Sequence, residues 1–336
     1  LHREEVEAEM VNAMTKPTVL LVDDEERILR SLGLLLRMQY RVFATSDGYE
    51  ALEILKREKI HVLISDQRMP IMNGSELLRQ AKELAPDTMR ILLTGYADAD
   101  AALASVNEGE VFRYITKPWG PKELRDTIAH AADIAMGLER SGLEQLGTNS
   151  PEVATAVATV TTATTRLTCL VLDQDESTFH AVQDILGEQH DVVWANGVQS
   201  ALRVMATHAV AILVTELSLG NDDLSTVIKT LKQTHPETLT IILTCFKDTS
   251  RLVDLINQAQ VYRYLPKPVR KGLLAKSIQS TIARYHSITA TPVLLQTQAV
   301  EKTQDVQEQQ ASERIAGYLT KLRGKTVFMA SRELTG

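Results

Sequence analysis

From residue 17 to about residue 138, short apolar runs alternate with stretches whose apolar residues recur every three or four positions. The runs Thr18–Val22, Arg41–Thr45, Val62–Ser65, Arg90–Leu93 and Val111–Ile115 predict five strands. Between them, Ile28, Leu32, Leu35 and Leu36 fall on one face of a helix beginning near Glu25, and further helices are expected over Tyr49–Lys59, Ser75–Leu84 and Ala99–Asn107. A last helix starts near Pro121, where proline suits the first turn, and its stripe of Leu124, Ile128, Ala131, Ala135 and Leu138 runs on toward Leu146. Such an overrun admits either pairing with another helix, a homodimer included, or a solvated stalk. Strands that are apolar nearly throughout belong to a parallel sheet covered on both faces, so a doubly wound, five-stranded α/β domain is expected.

In that architecture the site lies beyond the strand C-termini, where the strand order reverses. The residues there are Asp23 and Asp24 after the first strand, Asp66 after the third, Thr94 after the fourth and Lys117 after the fifth. Pro70 and Gly74 give the loop after Asp66 a fixed shape. Three clustered carboxylates repel one another and suit a hard divalent cation with oxygen ligands.

Val22-Asp23-Asp24-Glu25, Asp66 with Met69-Pro70 and Gly74, Leu93-Thr94-Gly95, and Tyr114-Ile115-Thr116-Lys117-Pro118 together resemble the receiver domain of two-component response regulators. The resemblance covers the whole first domain. It implies a flavodoxin-like sheet of order 2-1-3-4-5 and Asp66 as phosphoacceptor. It also implies Mg²⁺ on Asp24, Asp66 and the backbone carbonyl of Arg68, with Asp23 acting largely through water. Lys117 would face the incoming phosphoryl group, Thr94 and Tyr114 would act as switch residues, and a histidine kinase or phosphotransfer protein would be the donor. The implied chemistry is phosphorylation and slow dephosphorylation of Asp66, not the turnover of a conventional enzyme.

From Arg166 onward the first domain repeats without gaps at an offset of 150 residues: Asp23 maps to Asp173, Thr94 to Thr244, Tyr114 to Tyr264 and Lys117-Pro118 to Lys267-Pro268. The differences fall on the chemistry. Asp66 becomes Glu216, Asp24 becomes Gln174, Pro70 becomes Gly220 and Gly74 becomes Leu224. Gln174 loses a charge, which Asp175 next door could partly restore. Glu216 carries its carboxylate about 1 Å further out, a displacement that can cost roughly a hundredfold in rate. Losing Pro and Gly should leave the loop less constrained. A degenerate, unphosphorylated receiver serving as a docking or dimerisation surface follows, with Glu216 reaching Lys267 and Thr244 in imitation of the phosphorylated state as a bolder variant.

The expected divisions are an N-terminal helical extension (1–16), the first domain (17–138), a helix extension and linker (139–166), the second domain (167–286) and a polar tail (287–336). In the linker, Ser150 before Pro151 could cap a short helix. The tail is Gln-rich over Gln296–Gln310, then spaces Ile315, Leu319 and Leu322 as on a helix, for a partner-binding helix or a solvated segment. His190-Asp191 looks like the metal-binding dipeptide of one phosphodiesterase family, but it maps onto Tyr40-Arg41, just before the second strand, and is taken as a chance match.

The chain's 336 residues suit about two domains, and 44% hydrophobic content supports ordinary cores. A net charge of -7 offers no basic stripe to nucleic acid. Two cysteines cannot build a disulfide framework, and no apolar run reaches the roughly 18 residues of a membrane helix, so a soluble, cytoplasmic protein is expected. The start at Leu1 suggests a fragment. A rival reading is the regulatory part of a longer effector enzyme, such as a cyclic-dinucleotide phosphodiesterase or cyclase. An aspartyl-nucleophile phosphohydrolase would need a second Asp where Arg68 stands.

Overall fold

Five parallel strands in the order β2-β1-β3-β4-β5 form the first sheet. They are β1 (Thr18–Val22), β2 (Arg41–Thr45), β3 (Val62–Asp66), β4 (Met89–Gly95) and β5 (Arg113–Lys117), and the helices are α1 (Glu26–Leu36), α2 (Gly48–Arg57), α3 (Gly74–Leu84) and α4 (Pro121–Gly147). The computed structural model describes residues 16–95, 111–147, 166–220, 222–244, 255–291, 294–295 and 305–333, with the side chains of 141–147 and 325–333 excepted. The expected extension before residue 16, the helix over Ala99–Asn107, the cap at Ser150 and nearly all of the linker lie outside the described residues.

The chain divides into two compact units, Leu1–Asn149 and Ser150–Gly336. In the first, β1 and β3 are buried along their whole length, as expected for central strands of a doubly wound sheet. One side of the sheet packs Leu32 and Leu36 of α1 against Leu124, Ile128, Ala131 and Ala135 of α4. The expected stripe of α4 packs on its own domain as far as Leu138, and the side chain of Leu146 lies outside the described residues. Farther along α4, Glu139 reaches His61 at 3.1 Å, and the other ring nitrogen of His61 accepts the Thr18 amide at 2.9 Å.

Local chemistry sets the helix starts. Asp47 accepts the Tyr49 N–H at 2.8 Å and Asn73 the Glu76 N–H at 2.9 Å, each side chain satisfying a donor the helix cannot. The fifth strand begins two residues later than the apolar pattern suggests. Pairing decides it: β4 runs on to Gly95, whose partner is Lys117, and Arg113 is buried opposite Ile91 with its guanidinium over the Phe112 ring.

The second unit repeats the plan with β6 (Thr168–Leu172), α5 (Glu176–Leu186), β7 (Asp191–Ala195), α6 (Val198–Thr207), β8 (Val210–Glu216), a hairpin of β9 (Ser218–Leu219) and β10 (Asp222–Asp223), α7 (Ser225–Thr234), β11 (Leu239–Thr244), β12 (Arg263–Pro266) and α8 (Lys271–Ala290). Its five-stranded sheet has the order β7-β6-β8-β11-β12, all parallel. Both sheets are flavodoxin-like.

A final helix, α9 (Val306–Glu333), packs on α6 and α7 of the second unit. Lys229 pairs with Glu308 at 2.6 Å, Ser312 lies 2.8 Å from Thr230 Oγ1, Arg323 contacts His235, and Leu319 is 2% exposed. The corresponding surface of the first unit is built otherwise. There Arg79 is engaged by Glu76 and Glu83 of its own helix, and Ala85 stands where His235 does.

Candidate functional site

β1 and β3 are neighbours, so the sheet's reversal point brings Asp23 and Asp66 together at their C-terminal ends. Lys117, at the end of β5, reaches both: its Nζ lies 2.6 Å from Asp66 Oδ1 and 3.2 Å from Asp23 Oδ2. The remaining oxygens are taken by backbone, Asp66 Oδ2 accepting the Arg68 N–H at 2.9 Å and Asp23 Oδ1 the Glu25 N–H at 2.8 Å. Both carboxylates are buried, at 1% exposure for Asp23 and 5% for Asp66. Burial pushes the pKa of Asp23 above the ordinary carboxylate value, and the neighbouring Asp66 charge adds to the rise. Burial alone would depress Lys117, but its bonds and attraction to Asp66 and Asp23 outweigh that, and its pKa is raised.

The other expected members stand around this core. Asp24 is exposed at the rim, and Thr94 is buried at the end of β4, with Oγ1 3.3 Å from the Gly95 carbonyl. Tyr114 is buried, with its backbone opposite Leu92. Among the described residues no three His, Cys, Asp or Glu side chains are grouped so as to hold a metal by themselves. The resemblance does not require that, since it takes two carboxylates and the Arg68 carbonyl, completed by water. Hard oxygen donors and two buried carboxylates sharing one ammonium fit a small divalent cation.

Gly74 shapes the acceptor loop. A Cβ there would lie 2.1 Å from the Asp66 carbonyl oxygen, so only glycine lets α3 begin against that backbone. In the second unit Leu224 occupies this position, and the chain has rerouted: residues after Glu216 fold into the β9–β10 hairpin, with Gly220 at φ +62°. The loop expected to be merely less constrained is instead a different, hydrogen-bonded structure.

The second site repeats the lysine bridge of the first. Lys267 Nζ lies 2.8 Å from both Asp173 Oδ2 and Glu216 Oε2, so the longer acid does reach the lysine. Thr178, where the first unit has Ile28, donates its hydroxyl to Asp173 Oδ2 at 2.8 Å. Sequence reasoning missed this residue, although a hydroxyl on the inward face of an otherwise apolar helix was the available signal. Asp175 caps α5 by accepting the Ser177 N–H at 2.9 Å. His190 accepts the Leu167 amide and Asp191 pairs with Arg166, a structural pairing that keeps the His-Asp dipeptide out of the chemistry.

The model of the response regulator receiver domain matches residues 19–129 and again 169–279. The chain belongs to the response regulator receiver family. It is 41% identical over 122 residues to the hydrogenase transcriptional regulatory protein HoxA of Cupriavidus necator, covering 36% of this chain and 25% of that one. It is 36% identical over 117 residues to the HoxA protein of Bradyrhizobium diazoefficiens, covering 35% and 24%. The chain thus spans about a quarter of the length of these curated relatives. Among solved structures, the receiver domain protein of Clostridium thermocellum is 33% identical, with a TM-score of 0.35 over 36% of this chain and 98% of that one. The chain carries two receiver domains in tandem, and no helix among its described residues is long and apolar enough to cross a membrane.

Proposed function

We propose that the first receiver is a phosphoacceptor modified on Asp66 and that the second is a pseudo-receiver working through protein contacts. The observation that carries the reading is the chain after the acid: Asp66 Oδ2 accepts the Arg68 N–H and Gly74 lets α3 begin against the Asp66 carbonyl, whereas the residues after Glu216 form the β9–β10 hairpin, although Lys117 and Lys267 each bridge the two acids of their own site. In the first unit an Asp66 oxygen attacks the phosphorus of a phosphohistidine donor. The new O–P bond forms as the P–N bond breaks, and the imidazole leaves with the electron pair and takes up a proton. Lys117 then shifts from carboxylate to phosphoryl oxygen, stabilising charge where it accumulates. Asp24, Asp66 and the Arg68 carbonyl would hold Mg²⁺, which neutralises phosphoryl charge when bound. Thr94, beside Asp66 on the next strand, and Tyr114 are assigned the response to the new group. The partners are a histidine kinase or phosphotransfer protein upstream and a protein surface downstream.

In the second unit Gln174 stands in place of Asp24 and the chain after Glu216 runs as a hairpin, so that unit is assigned neither a cation nor a phosphoryl group. Fluorine NMR of the full chain with beryllofluoride tests the division of labour. One Mg²⁺-dependent bound species that disappears in Asp66→Asn supports it, and a bound species persisting in that variant refutes it.

A further inference from the structure

The residue after the acceptor is a glutamine that the chemistry above does not use, and it is buried to 5% exposure. A buried carboxamide is costly unless its polar atoms are satisfied, so a leucine would fill the space more cheaply. Residue 67 nonetheless joins three elements. Its N–H donates to the Leu93 carbonyl on β4 at 2.9 Å, and its carbonyl accepts the Gly74 N–H at 3.1 Å. Its side-chain Oε1 accepts two bonds from Ser75, from N–H at 3.1 Å and from Oγ at 2.7 Å. The acceptor strand is thereby tied to the first turn of α3 by backbone and side chain together.

The second unit supplies the control. Leu217 replaces the glutamine, and Ser225, in the place of Ser75, turns instead to Asp223, with its N–H at 2.8 Å and Oγ at 2.6 Å from Oδ1. The backbone bond survives there, from Leu224 N–H to the Leu217 carbonyl at 2.9 Å, while the side-chain clamp does not. Helix formation therefore does not demand a glutamine. The clamp accompanies the acceptor chemistry.

We propose that Gln67 is a positioning residue that, through Ser75, holds the Asp66–Arg68 segment in the single conformation from which the Asp66 carboxylate and the Arg68 carbonyl serve one cation. The inference rests on the reading of Asp66 as a Mg²⁺-assisted phosphoacceptor. The segment is short, and the Arg68 N–H already bonds Asp66 Oδ2, so a rotation at residue 67 would move both oxygen donors at once.

The test uses the full chain carrying Trp194→Phe, so that Trp119, whose ring centroid is 5.8 Å from Lys117 Nζ, reports Mg²⁺ by fluorescence. Gln67→Leu should raise the half-saturating Mg²⁺ concentration about tenfold, the scale of losing an outer-shell support of a metal ligand. Ser75→Ala should give a smaller rise, Ser75→Thr should preserve the wild-type value, and Gln67→Leu with Ser75→Ala should equal Gln67→Leu alone. Amide hydrogen exchange over residues 66–75, measured without Mg²⁺, should accelerate in the same order. A loss of thermal stability with unchanged Mg²⁺ requirement and unchanged exchange would make Gln67 a packing residue and overturn the proposal. A wild-type chain that binds no Mg²⁺ would refute the site reading, and the exchange data would still decide whether Gln67 fixes the loop.

Discussion

Removing the Lys117 ammonium leaves the buried Asp23 and Asp66 carboxylates facing each other without compensation. Lys117→Met should therefore lower the stability of the first unit by about 3 kcal/mol, the cost of breaking a buried pair from one side. The sign with pH follows from the raised pKa of Lys117. Its contribution is complete below the ordinary lysine value of 10.5 and fades as pH rises through the higher folded value, so above neutral pH wild type and variant should converge only in strong alkali, by urea denaturation. Gly74→Ala forces a Cβ against the Asp66 carbonyl and should cost about 3 kcal/mol while abolishing phosphorylation, whereas the rerouted second unit tolerates Leu224. Asp23, Asp66 and Lys117 were legible because each ends a strand and the topology decides where strand ends meet. Thr178 and Gln67 were not, since periodicity registers a polar residue in an apolar place but cannot say what it bonds.

At the scale of elements, the tail helix α9 is the clearest case of a partner surface that periodicity could not supply. Ile315, Leu319 and Leu322 announced an amphipathic helix, but the face of α6 and α7 that receives it is made by folding. Leu319→Ala should loosen it by about 3 kcal/mol, read as faster amide exchange over 306–324. Lys229→Glu and Glu308→Lys should each loosen it, and the two together should restore protection. His235 lies under the same helix, against Arg323 and the Met205 carbonyl, and both burial and the Arg323 charge depress its pKa. Protonating it costs the folded state, so docking should be complete above the ordinary histidine value of 6.5 and weaken as pH falls below it. Arg323→Gln should make that loss smaller, because the folded value moves back toward 6.5. The late start of β5 has a similar origin: no apolar count anticipates the buried Arg113, because its guanidinium is satisfied by the Phe112 ring and carbonyl.

At the scale of the whole molecule, the duplication was readable as an offset of 150 residues, and it foretold two sheets of one topology. It also located where the copies diverge, since the exchanged residues gather at the acceptor end while the strands keep their character. The sequence could not reveal the β9–β10 hairpin or the Thr178–Asp173 bond, because both depend on how the chain runs in space. The central claim is that acceptor chemistry belongs to the first unit alone. Intact-mass spectrometry of the full chain after incubation with acetyl phosphate and Mg²⁺ tests it most directly. A single phosphoryl group should add to the wild-type chain and none to Asp66→Asn. Phosphoryl uptake by Asp66→Asn, or none by wild type under conditions that label an authentic receiver, would contradict it.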